Sequence, residues 1–375
     1  MTIRCLQMNI DNKGRGGAFH LIRQINTLYK DGDIEFDYLT MDEFVTTGNP
    51  NIDVLPNSIT YSARYRSNKL FGLFKLPFFV SNVLKEHDYR IVHINSDSSW
   101  KALMFAIPSR LKGVKTIIVH SHSIAMDGSF KFLKTTLHRL FKPILQNFID
   151  VSIACSNEAA EWMFSGKNLT NCHILFNGIN IDSYKFNYNE RNRLRKVLGL
   201  SDYFVIGCVG VISVTKNQLF QLDILEKILH FAPKTKLILI GDCSNKWKVK
   251  LTNKIKKLHL NENVIIYGKS DNVPEMLMVL DQYWQPSLFE GFSISLLEAQ
   301  ASGLPCLISD VIPNISTVST LVKKVSLSKN SEYWASKSMQ LRKYCMDRAT
   351  IEINQEFDVS HTANELRKIY INSIS

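Results

Sequence analysis

The sequence predicts an α/β protein made of two Rossmann-like domains, each a parallel sheet wrapped by helices. Three observations predict it. Short apolar runs alternate with segments of helical periodicity along most of the chain. The alternation restarts as a second series after the turn pair Asn177-Gly178. At 375 residues the chain is long for one hydrophobic core and comfortable for two.

In the first series, apolar runs at 2–10, 34–40, 89–95, 115–120 and 150–155 predict strands, separated by helical patterns such as 18–30, 97–111 and 131–148. In the second, strands are predicted at 204–211, 235–241, 263–268, 282–285 and 305–309, with helices near 217–231, 245–258, 274–280 and 294–302. Strand, crossover helix and strand in succession impose a parallel sheet. The predicted domains are residues 1–180 and 181–355, joined near 178–190. A terminal helical segment at 356–375 is patterned by Phe357, Val359, Leu366, Ile369 and Tyr370.

Composition bounds the function. Hydrophobic residues make up 45% and charged residues 21%, the balance of a soluble globular protein, and no apolar run approaches the roughly 20 residues that span a bilayer. Met1-Thr2-Ile3-Arg4-Cys5 reads as the start of a strand and not as a signal peptide. Seven cysteines scattered without a Cys-x-x-Cys pair are expected to be reduced and buried, as in a cytoplasmic protein. The charge of +11 attracts anions, yet no helix-turn-helix, zinc-finger or RNP pattern supports a nucleic-acid partner.

The most informative stretch is 285–310. Glu290 and Glu298 flank a glycine-opened turn that runs into a helix, with Gly291 allowing close backbone approach and Ser293 or Ser295 placed to cap. Free amides at a helix start attract phosphate. Glu290 can accept from sugar hydroxyls and Glu298, about two turns on, from ribose hydroxyls, so the arrangement reads as a nucleotide-sugar clamp.

Two glutamates separated by seven residues and followed by Ala-Gln-Ala-Ser-Gly-Leu-Pro resemble the donor signature of the GT-B retaining glycosyltransferases of family four. The likeness extends through Gly14-Arg15-Gly16-Gly17-Ala18, His120-Ser121-His122-Ser123, Phe176-Asn177-Gly178-Ile179, Val209-Gly210 with Lys216-Asn217, and Gly241-Asp242, in the family's order. It covers most of the chain and is nearest to bacterial capsular and exopolysaccharide enzymes.

The resemblance implies a GT-B fold with an acceptor-side first domain, a nucleotide-sugar-binding second domain and a last helix that crosses back to the first. It also implies roles. Gly16 and Gly17 approach the donor, although an ordinary strand-to-helix turn would use the same glycines. His120 contacts the transferred sugar; ending a strand, its ring is expected to emerge at the cleft and not inside the sheet, with His122 orienting the loop. Lys216 binds the diphosphate, where the leaving phosphate gains charge. Ser270 and Val273, within Tyr267–Pro274, fall in the base-binding loop. Glu290, Gly291, Phe292, Ser293, Ile294 and Glu298 complete the donor site. His120, Lys216 and Glu290 are the catalytic set. Neither metal nor cofactor is expected beyond the nucleotide-diphosphate sugar itself. One departure stands out: the family's Val-Gly-Arg is Val209-Gly210-Val211 here, so a diphosphate arginine is missing, with Lys269 as a possible substitute.

Two stretches interleave cations with large apolar groups, Arg64–Lys75 and Lys131–Lys142. They suit an anionic membrane surface, or else are helices with solvated basic faces. The reading that follows is a metal-independent retaining hexosyltransferase. It works on the inner face of the cell membrane and moves sugar, from UDP by preference, to a lipid-linked saccharide acceptor. A non-catalytic glycan-binding or scaffolding subunit of the same fold and a nucleotide-sugar epimerase or phosphorylase are the alternatives.

Overall fold

Strands of a parallel sheet are covered on both faces, and Ile3–Ile10 (β1) has no fully exposed residue although it carries Arg4, Gln7 and Asn9. The computed structural model describes residues 2–10, 17–29, 33–41, 58–63, 69–126, 130–345, 348 and 352–374. They form two units, residues 1–178 with 356–375, and residues 179–355.

In the first unit β1 is joined by β2 (Ile34–Thr40), β3 (Thr60–Ser62), β4 (Ile91–Ser96), β5 (Thr116–Ser121), β6 (Val151–Ala154) and β7 (His173–Ile174). The order is β3-β2-β1-β4-β5-β6-β7 and every pairing is parallel. Its helices are α1 (Gly17–Leu28), α2 (Lys69–Glu86), α3 (Ser99–Leu111), α4 (Lys131–Leu145), α5 (Asn157–Met163) and the single turn α6 (Lys167–Thr170). The last helix, α13 (Val359–Ile374), belongs to this unit. It buries Leu366 and Tyr370 among Ile25, Phe36 and Ile91. Tyr29 donates to the Ala363 carbonyl at 2.6 Å and Thr116 to that of Ser373 at 2.9 Å. The chain leaves and re-enters the unit side by side: a Cβ on Gly178 would stand 2.6 Å from the Asp358 carbonyl oxygen, which is why glycine occupies that turn.

The second unit holds α7 (Tyr188–Val197), β8 (Phe204–Val209), α8 (Gln218–Leu229), β9 (Thr235–Ile240), α9 (Asn245–Lys257), β10 (Val264–Gly268) and α10 (Val273–Val279). After these come β11 (Gln282–Gln285), α11 (Ile294–Ala301), β12 (Cys306–Ser309), β13 (Val322–Val325) and α12 (Ser331–Leu341). Strand order is β10-β9-β8-β11-β12-β13, again parallel throughout. Trp284 and Trp334 are fully buried in its core, with Leu222, Leu237 and Leu307. In both sheets the order reverses once, between β1 and β4 and between β8 and β11. Ligands of open α/β sheets sit beyond the strand ends at such a reversal.

Three strands escaped the sequence pattern. β3 and β7 are two or three residues long, and β13 reads Val-Lys-Lys-Val, the charged composition of an edge strand. The run predicted at 204–211 stops at Val209, because Gly210 turns to φ 145°.

Candidate functional site

Two loops flank the reversal of the second sheet. One follows β8 and leads through Lys216 into α8; the other follows β11 and leads through Glu290 into α11. The first turns on a glycine contact: Gly210 and Gly241 both sit at φ 145°, and a Cβ on Gly241 would meet the Gly210 carbonyl oxygen at 2.1 Å. That approach lets Gly241 N–H reach the Gly268 carbonyl at 2.7 Å and Ile212 N–H reach that of Asp242 at 2.9 Å. Three strand ends are thereby tied together, and the Lys216 side chain packs over Gly210, where a Cβ would stand 3.0 Å from Lys216 Cε.

The loops are cross-linked to each other. Leu288 N–H donates to the Thr215 carbonyl at 2.7 Å, and Asn217 Nδ2 to that of Pro286 at 3.1 Å. Lys216 Nζ lies 2.7 Å from Glu290 Oε1, with the two side chains only 18% and 13% exposed. Ser287 Oγ donates to the same Oε1 at 2.8 Å. The residues expected at a diphosphate and at a sugar are thus brought together as an ion pair.

Ser293 caps α11, its Oγ accepting from Leu296 N–H at 3.4 Å, and it is held by Gln285 Nε2 at 2.9 Å. The first helical bond runs from Leu297 to Ser293, so the amides of Ile294 and Ser295 lie outside the ladder. Phe292 is buried. Glu298, on α11, accepts from the Tyr184 hydroxyl at 2.7 Å. Burial pushes its carboxyl up to about 7, against the opposing pull of Tyr184 and the Lys216 charge. In the loop after β10, Ser270 Oγ accepts from Asn272 N–H at 3.1 Å, and Asn272 caps the α10 turn that Val273 opens. Val211 is 42% exposed, and Lys269 is exposed with no ion pair among the described residues.

In the first unit Gly17 opens α1, while Gly16 lies outside the described residues. His120 corrects the expectation that its ring emerges beyond the sheet. It is 3% exposed within β5, 5.4 Å from the His93 ring and 4.0 Å from that of His122, centroid to centroid. Position at a strand end did not bring it out, because β5 is central and runs on to Ser121 between β4 and β6. Burial lowers its pKa well below the usual histidine range, so the ring is neutral.

Of the basic stretches, 64–68 lie outside the described residues and 69–74 begin α2. On α4 the pattern is borne by an exposed face, with Phe132 86%, Leu133 55% and Leu140 62% exposed beside exposed Lys131 and Arg139. Next to it an apolar groove of about 350 Å³ runs between α2, α3 and α4, lined by Pro77, Trp100, Met104, Phe141 and Ile144 among others. Among the described residues no helix is long and apolar enough to cross a membrane, and no group of three His, Cys, Asp or Glu could hold a metal ion. Among the described residues the seven cysteines form no disulfide, and five of them are buried. Sequence reasoning missed Tyr184, whose partner Glu298 lies 114 residues away, and Ser287, which stands three residues before Glu290 and belongs to no motif that singles it out.

Comparison with known proteins bears on the family and the fold. Residues 190–341 match the family model of glycosyl transferases group 1, and residues 33–183 that of glycosyltransferase family 4. The chain is 26% identical to EpsF of Bacillus subtilis over 335 residues, 87% of this chain and 84% of EpsF. It is 25% identical over 255 residues to an Escherichia coli protein, covering 65% of this chain and 62% of that one. That relative is named UDP-Gal:alpha-D-GlcNAc-diphosphoundecaprenol alpha-1,3-galactosyltransferase. The fold superposes on Anabaena HepE, solved with UDP and glucose, with a TM-score of 0.79 at 19% identity over 98% of this chain and 99% of that one.

Proposed function

Because this chain belongs to the family-four glycosyltransferases of the GT-B fold, we propose that it moves a hexose or N-acetylhexosamine from UDP to a lipid-linked saccharide. The proposed transfer retains configuration, needs no metal and serves surface-polysaccharide synthesis. The observation that carries this reading is the Lys216–Glu290 pair at the strand-order reversal, beside the open amides of α11 and the Glu298 carboxyl. A cation, helix amides and two carboxyl groups are what a diphosphate flanked by two polyols requires.

In this reading Lys216 gives up Glu290 for the diphosphate and stabilises charge on the leaving phosphate, while Glu290 turns to a sugar hydroxyl. The amides of Ile294 and Ser295 take phosphate oxygens, Glu298 takes ribose, and the loop at Ser270 and Val273 takes the base. His120, neutral, serves the transferred sugar as a hydrogen-bonding group and not as a cation. The acceptor is lipid-linked, as the name of the Escherichia coli relative says of its own substrate. The exposed apolar and basic face of α4 suits it to the anionic inner surface of the cell membrane.

The test is to incubate the protein with UDP-sugars and membrane extract and to weigh the lipid-linked products. One UDP-sugar should release UDP and add one sugar mass. Binding of no nucleotide sugar by folded protein would overturn the reading and favour a non-catalytic glycan-binding subunit, the alternative that Val211 in place of the diphosphate arginine supports. Release of an isomeric sugar without acceptor would instead mark an epimerase. Sedimentation with anionic vesicles should fall severalfold when Phe132, Leu133 and Leu140 are all changed to Ser.

A further inference from the structure

One buried cation joins the trailing ends of two helices in the second unit. Arg348, beyond α12, is 3% exposed. Its guanidinium donates five hydrogen bonds to four carbonyls. Nε and Nη2 reach Ser302 at 3.0 and 2.8 Å, Nη1 reaches Met278 at 3.1 Å and Leu280 at 2.7 Å, and Nη2 also reaches Leu277 at 3.0 Å. Ser302 ends α11, while Leu277, Met278 and Leu280 end α10.

A buried guanidinium is costly unless each N–H is met and negative charge faces it. Asp281 is taken by Arg191 at 2.6 Å and Arg195 at 3.0 Å, and among the described residues Arg348 makes no ion pair. Carbonyls do the work instead: five N–H groups meet five acceptors, and the negative ends of two helices converge on one cation. The Phe186 ring covers it, 4.4 Å from Cζ. Phe186 stands two residues after Tyr184, the residue that holds Glu298 on α11. Arg191 also donates to Met278 and Leu280, each at 2.6 Å, so the α10 end stays capped without Arg348. What Arg348 adds is the tie from α10 to α11.

We propose that Arg348 is a positioning residue for the nucleotide. Joining the trailing ends of α10 and α11 fixes the spacing of their leading ends, where the loop at Ser270 and Val273 takes the base and the amides of Ile294 and Ser295 take phosphate. Both helices leave the same edge of a parallel sheet, α10 after β10 and α11 after β11. With seven and eight residues they are only about 10 and 12 Å long, so a shift at one end is carried to the other. The ligand that senses this spacing is one that spans both loops, a nucleoside diphosphate, an effect that rests on the donor reading above.

The experiment is calorimetry of UDP on the full chain, with uridine and pyrophosphate as competitors, for the wild type and Arg348→Lys well below their melting temperatures. Lysine is a point donor without the planar fork that reaches both helix ends. UDP should weaken about tenfold, the scale of one lost charge-assisted bond, while uridine and pyrophosphate alone change less than about twofold, since neither spans both loops. Unchanged UDP affinity in folded Arg348→Lys, or equal losses for all three ligands, would overturn the proposal. Hydrogen exchange gives a second readout: the amides of Glu275, Met276, Leu296 and Leu297, in the leading turns, should exchange faster in the variant, and unchanged exchange would count against the tie. If Arg348→Lys does not fold, Phe186→Leu keeps the five hydrogen bonds and removes the ring. It should weaken UDP about threefold and spare the two fragments, and unchanged UDP affinity there would overturn the proposal. Absence of UDP binding in the wild type would count against the donor reading, and hydrogen exchange would then decide on the tie alone.

Discussion

Lys216 Nζ and Glu290 Oε1 stand 2.7 Å apart, so a cation suited to a diphosphate and a carboxylate suited to a sugar neutralise each other. The pair must part, or share, when a donor enters. Glu290→Gln releases Lys216 from its counter-charge and should tighten UDP severalfold while slowing transfer by about 10–100-fold. Lys216→Ala removes the cation and strands a mostly buried carboxylate. It should weaken UDP by about 10–100-fold and lower the melting temperature. Calorimetry, turnover and thermal melts check both variants; weaker UDP binding in Glu290→Gln would contradict the competition.

Val211 is 42% exposed, immediately after the Gly210 on which Lys216 packs. An arginine there has room and adds a second cation beside the same anion site. Val211→Arg should therefore tighten UDP by about one power of ten. Unchanged affinity, measured by calorimetry, would place the diphosphate elsewhere.

Glu298 provides a pH signature. Its folded pKa is raised to about 7 by burial, above the ordinary 4.5, so the folded chain binds a proton that the unfolded chain has lost. That contribution to stability is full below about pH 4.5 and is lost as pH rises through 7. This group should therefore lower the melting temperature of the wild type as pH rises from about 4.5 to 7, with no further loss above neutrality, and Glu298→Gln should remove that contribution. The same variant should weaken UDP if the carboxylate accepts from ribose; unchanged binding would remove that assignment.

The histidines act with the opposite sign. Burial lowers His93 to about 3 and His122 to about 4, with His120 lowered as well, so they stay neutral in the fold and charge only on unfolding. Stability should therefore fall as pH drops below the ordinary histidine value of 6.5, before most carboxylates titrate. Each proton contributes a slope of about 1.4 kcal/mol per pH unit. His122→Gln should shift the onset of acid unfolding to lower pH, as followed by circular dichroism.

Much of the candidate site was legible because its logic is local. Ser293 three residues before Leu296 specifies a cap whatever surrounds it. The spacing of Glu290 and Glu298 across a helix start is likewise a local fact. The exposure of His120 was misjudged because burial depends on which strands lie on either side, and strand order is not written in any one strand.

By itself the sequence determined the alternation of strands and helices, the restart after Asn177-Gly178, and the motifs at Lys216 and at Glu290 to Glu298. Periodicity, turn chemistry and capping act within a few residues, so they can be read directly. Tertiary structure alone decided the Lys216–Glu290 pair, the hold of Tyr184 on Glu298 across 114 residues, and that of Gln7 on Tyr370 across 363. Those partners meet only because parallel sheets reorder the chain, setting β8 beside β11 and β1 beside β4, and because α13 returns to the first core. The lowered histidine values and the raised Glu298 follow from the same assembly, since desolvation is a property of the packed interior and not of the residue.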